Sequence, residues 1–271
     1  MPGETFSQMP RRSSTRRRGW NRSAIRSPSG EDRGGGPAGR KASGLLMVDG
    51  VLYMWARNAD REGRQCQLAW SGDHAANWTW ADWTFEDLGY CTFLNFGPDY
   101  QGARDDFVYV YSPDSPSAYI PADRFILARV PRRDICSREA YEFFRGLDND
   151  DNPLWSGDFA DRAGVFEHRA RCLRSSVSYN APLGRYIWWQ SLPNARDDRS
   201  ELRFAAGFAL FDAPEPWGPW TTAYYTEHWD TGPGETACIP TKWIGKDGLE
   251  FHLVFSGDDY FSLRRGRFIL R

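Results

Sequence analysis

Short apolar runs broken by turn signals recur from Gly44 to Leu270. GLLMV (Gly44–Val48), then Asp49-Gly50, then VLYMWARN (Val51–Asn58) reads as two strands joined by a tight hairpin turn. CQLAWS (Cys66–Ser71) and TWADWTF (Thr79–Phe85) add two more. The order then repeats. CTFLNFG (Cys91–Gly97), FVYVYS (Phe107–Ser112), RFILARV (Arg124–Val130) and YEFFRG (Tyr141–Gly146) make a second set. CLRSSVSYN (Cys172–Asn180), RYIWWQS (Arg185–Ser191), GFALFDA (Gly207–Ala213) and TTAYYT (Thr221–Thr226) make a third. ACIPTKW (Ala237–Trp243), LEFHLVFSG (Leu249–Gly257) and FSLRRGRFIL (Phe261–Leu270) start a fourth that ends one strand short. The second strands begin near residues 51, 107, 185 and 249. A four-strand unit repeating in series predicts the blades of an all-β propeller rather than a sandwich.

Two stretches depart from this rhythm. PRRDICSREAYEFFRG predicts at most two helical turns, with Ser137 as a cap. APEPWGPW (Ala213–Trp220) cannot be helix, because each proline lacks a donor and pushes its predecessor towards extended geometry. It reads as the turn between two strands. SGDHAANW resembles the Asp-box turn of sialidase-type propellers. Ser71, Asp73 and Trp78 are in place and Ala75 stands where glycine is usual. That gives Asp73 a structural role.

Composition supports the strand reading. The chain holds 13 Trp, 12 Tyr and 17 Phe, with 26 Gly and 17 Pro. Most of these rings are expected to fill the gaps between sheets. Residues 1–43 differ: Arg, Ser, Gly and Pro dominate and the segment carries a net charge of +7, against −9 for the rest. Such a segment cannot bury enough apolar surface to offset its chain entropy, so it is expected to be a disordered tail ahead of a propeller domain at 44–271. No apolar h-region follows its arginines, which excludes a secretory signal within it, and localisation is left open. An acidic body argues against nucleic acid as a partner. No apolar run reaches eighteen residues, so no membrane span is predicted. Cys66, Cys91, Cys136, Cys172 and Cys238 show no CxxC spacing and read as buried thiols, with one disulfide open to an exported protein. The four histidines form no HxxxH or HExxH pattern. Neither a metal nor another cofactor is predicted.

From about Lys41 onward the chain resembles the bacterial domain-of-unknown-function family 4185. The residues that carry the likeness are KASGLLMVDGVLYMWARN, FLNFGPDYQGARDDFVYVYS, YIPADRFILARVPRRDI, YNAPLGRYIWWQ, DAPEPWGPWTT, GETACIPTKW and LVFSGDDYFSLRR, and the region they span is about five-sixths of the chain. The resemblance implies a five-bladed propeller related to glycosidases, some of them inverting arabinan hydrolases. It also implies a blade and a pocket carboxylate ahead of KASGLL, where this chain has its Arg-rich segment. The expectation is therefore a propeller of that clan with four recognisable blades and the first missing or replaced.

In a propeller the loops leading into the innermost strands and those joining second to third strands share one face. Inverting hydrolysis needs two carboxyl groups about 6.5–9.5 Å apart, one to protonate the leaving oxygen and one to activate water. Glu167 and Glu235 hold matching places before inner strands and are the preferred catalytic pair. Arg57, Tyr119, Asp123, Arg171, Arg174, Lys242 and Asp258 are the candidate substrate contacts. Each has a structural counterpart reading: a loop carboxylate bonding backbone, or an arginine paired within a blade. Asp105 and Asp106 should lie on the opposite face, in a turn. The expected function is a carbohydrate-active propeller, a hydrolase of furanose-containing polysaccharide. The alternative is a non-catalytic carbohydrate-binding or surface-interaction propeller. The expected partner is a polysaccharide or oligosaccharide, and the expected state a monomer.

Overall fold

The computed structural model describes residues 36–193, 206–229, 234, 236–257 and 260–270. Residues 1–35, most of the expected tail, lie outside the described residues. The chain is all-β, and the helical pieces among the described residues are single 3-10 turns. Strands β1 (Lys41–Val48), β2 (Val51–Arg57), β3 (Cys66–Ser71) and β4 (Thr79–Phe85) form an antiparallel meander. A second is β5 (Thr92–Asn95), β6 (Phe107–Pro113), β7 (Ala122–Pro131) and β8 (Glu142–Leu147). It is extended by β9 (Pro153–Ser156) beyond β8, and by β10 (Gly164–Cys172), which returns to the first half of β7. The third is β11 (Ser175–Asn180), β12 (Arg185–Leu192), β13 (Gly207–Ala213) and β14 (Thr221–Thr226). The fourth holds β15 (Ala237–Cys238), β16 (Glu250–Phe255) and β17 (Ser262–Arg267).

The first strand of each meander lies beside the first strand of the next, which makes these units blades. Ser43 on β1 donates its Oγ hydrogen to the Cys91 carbonyl at 2.8 Å. A Cβ on Gly44 would come within 3.1 Å of the Thr92 backbone, so glycine sets how closely β1 approaches β5. β5 and β11 pair in parallel, Val177 with Leu94 and Ser178 with Asn95. Ser178 Oγ then donates to the Ile239 carbonyl beside β15 at 2.8 Å.

Rings fill the wedges between blades. Between the first two, Trp55 meets Trp83, Phe85, Phe93 and Tyr141 at 5.2–6.3 Å between ring centres. Between the second and third, Trp188 meets Tyr111, Phe125, Phe166 and Trp220. Between the third and fourth, Trp229 stacks between Phe208 and Phe255. Such pairs add about 0.5–1.5 kcal/mol each beyond the area they bury. The Ala213–Trp220 turn belongs to this packing: Tyr111 donates its hydroxyl hydrogen to the Pro216 carbonyl at 2.6 Å, and Trp217 meets Trp155.

The turns follow their chemistry. Asp49 and Gly50 both have positive φ, as a two-residue hairpin of this twist requires. In the β3–β4 turn the Ser71 hydroxyl donates to Asp73 Oδ1 at 2.7 Å, and the Asn77 amide donates to the same oxygen at 2.9 Å. Ala75 sits at φ 69°, the left-handed geometry glycine would take without strain. These donors, the Asn77 amide foremost, hold the Asp73 carboxyl down at about 2. A depressed folded-state pKa means the turn's contribution is present above the ordinary carboxylate range and is lost as pH falls through about 2. The Asn77 side chain also donates to Asp73 Oδ2 at 2.7 Å. A carboxyl-carbon NMR titration should place the Asp73 midpoint near that value, and Asn77→Ala, which removes this side-chain bond and keeps the backbone one, should raise it. Asp105 likewise serves its turn, accepting from the Phe107 amide and the Tyr109 hydroxyl.

Elsewhere the elements differ from their sequence signals. β9 and β10 are strands not read from the pattern. ACIPTKW is strand only to Cys238; Pro240 cannot donate to a ladder, and Thr241–Trp243 turn instead into a 3-10 helix. The helical turns at Arg132–Asp134 and Arg138–Ala140 are also 3-10, and the Ser137 side chain makes no cap bond.

Candidate functional site

The loops at the starting ends of the inner strands are knitted into one face. The Gln65 amide donates to the Pro116 carbonyl, Gly89 to Ser115 and Ala118 to Gly63. This ties the β2–β3, β4–β5 and β6–β7 loops together. Gly89 is required there, because a Cβ would meet the Pro116 and Ser117 backbone.

Four predicted or neighbouring side chains converge on this face. Arg57 ends β2 and is only 4% exposed; its guanidinium lies 5.5 Å from the Tyr90 ring centre and 5.4 Å from that of Tyr119. Arg174, just before β11 and 6% exposed, lies 5.9 Å from the same Tyr90 ring. One tyrosine between two blades therefore faces two guanidiniums, each within cation–π range. Asn58 fixes the neighbouring ring, donating to the Tyr119 hydroxyl at 3.0 Å and to the Gly39 carbonyl at 2.7 Å.

Beside this cluster runs a central cavity of about 600 Å³. Arg174 leads directly into Ser175 on its wall, and Cys91 joins Tyr90 to Thr92 on the wall. All four inner strands contribute, through Ser43, Thr92, Ser178 and Cys238 among others. The wall is hydroxyl-bearing and apolar, and none of the described residues lining it carries a charge. At its lip stand Tyr260 and Phe261, 76% and 77% exposed.

A second cluster lies on the end of β14. The Arg171 guanidinium holds the Glu227 carboxylate, and the Tyr225 hydroxyl donates to Glu227 at 2.6 Å. The hydrogen bond from Tyr225, with Arg171 next, pulls the Glu227 carboxyl below its ordinary range. Burial lowers the nearby His168 imidazole, and Arg171 adds to that. Glu227 is thus kept as an ionised carboxylate.

The other predicted residues stand apart. Glu167 is exposed on β10, opposite Arg124 in the β10–β7 register. Asp123, at the start of β7, accepts from the Ala170 amide at 2.8 Å. Lys242 lies over Trp243 on the turn between β15 and β16, at the far end of the inner strand. Glu235 and Asp258 lie outside the described residues. Sequence reasoning passed over Tyr90, Glu227, Tyr260 and Phe261. Each sits within a residue or two of a strand end on the selected face: Glu227 falls under the rule that chose Arg57, and Tyr90, Tyr260 and Phe261 fall under it once aromatic residues count with charged ones.

No family model and no curated protein matches this chain. Solved structures do. A putative hydrolase from Bacteroides ovatus is 14% identical with a TM-score of 0.47, over 84% of this chain and 60% of its own. A putative glycoside hydrolase from the same organism is 12% identical with a TM-score of 0.47, over 85% and 69%. A GH43_1 enzyme from Xanthomonas citri is 16% identical with a TM-score of 0.41, over 82% and 66%. The chain thus spans about three-fifths of the length of the first of these.

Proposed function

We propose that this protein is a carbohydrate-active propeller of the domain-of-unknown-function family 4185, which hydrolyses furanose-containing, arabinan-like polysaccharide with inversion. The observation that carries the reading is the lip of the central cavity. Exposed Tyr260 and Phe261 stand there over a wall of hydroxyl and apolar groups, with Arg57, Tyr90 and Arg174 alongside. Sugars offer C–H faces that lie on aromatic rings and hydroxyls that take up hydrogen bonds, and this surface presents both kinds of partner. The glycoside hydrolases among similar solved structures accord with it.

Glu167 and Glu235 are the carboxyl pair of this proposal. One, protonated, gives its proton to the glycosidic oxygen as the C–O bond breaks. The other, ionised, takes a proton from water attacking the anomeric carbon on the opposite face. Arg57, Arg174, Tyr119, Arg171, Asp123 and Asp258 orient the chain of sugars, and Lys242, on the opposite end of the inner strand, takes no part.

A second reading, glycan binding without hydrolysis, is favoured by one observation: Glu167 is solvent-exposed and faces Arg124 across the strand pair. Incubation with arabinan separates the two. Hydrolysis should release oligosaccharides whose first-formed anomer is inverted by proton NMR, and Glu167→Ala and Glu235→Ala should each cut the rate at least 100-fold. Tyr260→Ala with Phe261→Ala should weaken arabinan binding by about 5- to 150-fold, at about 0.5–1.5 kcal/mol per lost platform. Binding without product from the unaltered chain would establish the second reading, and neither binding nor product would overturn both.

A further inference from the structure

Behind the Arg57–Tyr90 contact lie two thiols that the proposed chemistry does not use. Cys66 opens β3 and pairs with Arg57 on β2 and with Phe85 on β4. Cys91 follows Tyr90 at the start of the next blade's inner strand. Both are completely buried. The Cys91 amide donates to Cys66 Sγ at 3.2 Å. The Cys91 Cα is therefore one bond from an atom already in contact with the Cys66 sulfur. A disulfide brings its two Cα atoms to about 5.5–6 Å, a separation compatible with so close an approach. All five cysteines are free thiols in this structure, and no comparable contact joins Cys136, Cys172 or Cys238 to another cysteine among the described residues.

We propose that Cys66 and Cys91 are a disulfide-forming pair that closes when the chain folds under oxidising conditions, locking the floor beneath Tyr90. The two thiols lose two protons and two electrons as the S–S bond forms. A low-molecular-weight disulfide such as oxidised glutathione takes both and leaves as two thiols. Closure happens during folding, because the finished blade encloses both sulfurs. Burial also pushes the Cys91 thiol well above its ordinary range, which keeps it unreactive once enclosed and unpaired. The bond would tie the third strand of one blade to the first strand of the next. That joint otherwise rests on ring packing, on the Ser43–Cys91 hydrogen bond and on backbone bonds between the loops, among them Gln65–Pro116 and Ala118–Gly63.

The full chain is refolded from denaturant with a mixture of oxidised and reduced glutathione, and in parallel with reductant alone. Trypsin leaves both residues on one peptide, 65–104, since no Lys or Arg lies between Gln65 and Arg104. After oxidative refolding this peptide should be two hydrogen masses lighter and should resist alkylation. Cleavage after Glu86 should leave its two pieces joined until reductant is added. The oxidised protein should melt about 5 °C higher than the reduced one. A variant with Cys136→Ser, Cys172→Ser and Cys238→Ser should keep both the link and the difference in Tm, and Cys91→Ala should abolish both. Free alkylation of both thiols after oxidative refolding would overturn the proposal. So would a link from Cys66 or Cys91 to another cysteine, or a link that leaves Tm unchanged or lower.

Discussion

Replacing Trp188 with alanine should lower the unfolding free energy by about 4–5 kcal/mol, measured by denaturant titration, and lower Tm by about 10–15 °C. The size follows from its place. Trp188 sits mid-way along β12 with no exposed surface, and four rings from two blades surround it. Tyr111 and Phe125 come from the second blade, Phe166 from β10, and Trp220 from the turn before β14. Truncation leaves a cavity these neighbours cannot close, because each is held by its own strand. A stability near 5–15 kcal/mol, usual for folded domains, would lose a large share to this one change. Trp217→Ala is the control: that ring is partly buried at the margin of the core, and Trp155 is its one ring partner among the described residues, so its loss should cost well under half as much. Equal effects would mean that Trp188 is not the centre of the joint.

The second large effect is expected at Gly207. It opens β13 next to Phe208, the partner of Thr226 on β14, and is buried. A Cβ built there would fall on the Thr226 carbonyl oxygen and crowd the Glu227 backbone. Gly207→Ala should therefore force the end of β14 away from β13 at about 2–3 kcal/mol, as overpacking does. The displacement reaches the site, because Glu227 is held by Arg171 and Tyr225 from this same strand end. Two readouts are expected to move together: the denaturation midpoint falls, and the Glu227 carboxyl titrates closer to its ordinary range in NMR. A fall in stability with the Glu227 titration unmoved would show that the β14 end is held by Arg171 alone.

Where a strand's pattern was local, the sequence was a sufficient guide. β3, β4, β13 and β14 run over the same residues in sequence and structure, because β-branched and aromatic runs there end at turn residues. β10 escaped notice because its polar and apolar positions follow no strict alternation and Ala170 interrupts it at positive φ. Its strand character comes from β7, a partner some forty residues earlier. The site shows the same division. Arg57, Tyr119 and Arg174 could be chosen because strand order fixes which loop ends share a face. The role of Tyr90 could not, because it arises when two arginines from different blades reach one ring, and no local pattern encodes that meeting.

The parallel pairing of β5 with β11 bears on modularity. The backbone ladder passes without interruption from β14 through β11 and β5 to β9. A cut between those two blades would strip partners from main-chain groups on both inner strands, and buried groups of that kind cannot be left unpaired. The first blade, by contrast, meets its neighbour as a sheet of its own. The smallest portable piece of this part of the molecule is therefore a fused pair of blades, and recombination that shuffles such repeats would have to carry the two together.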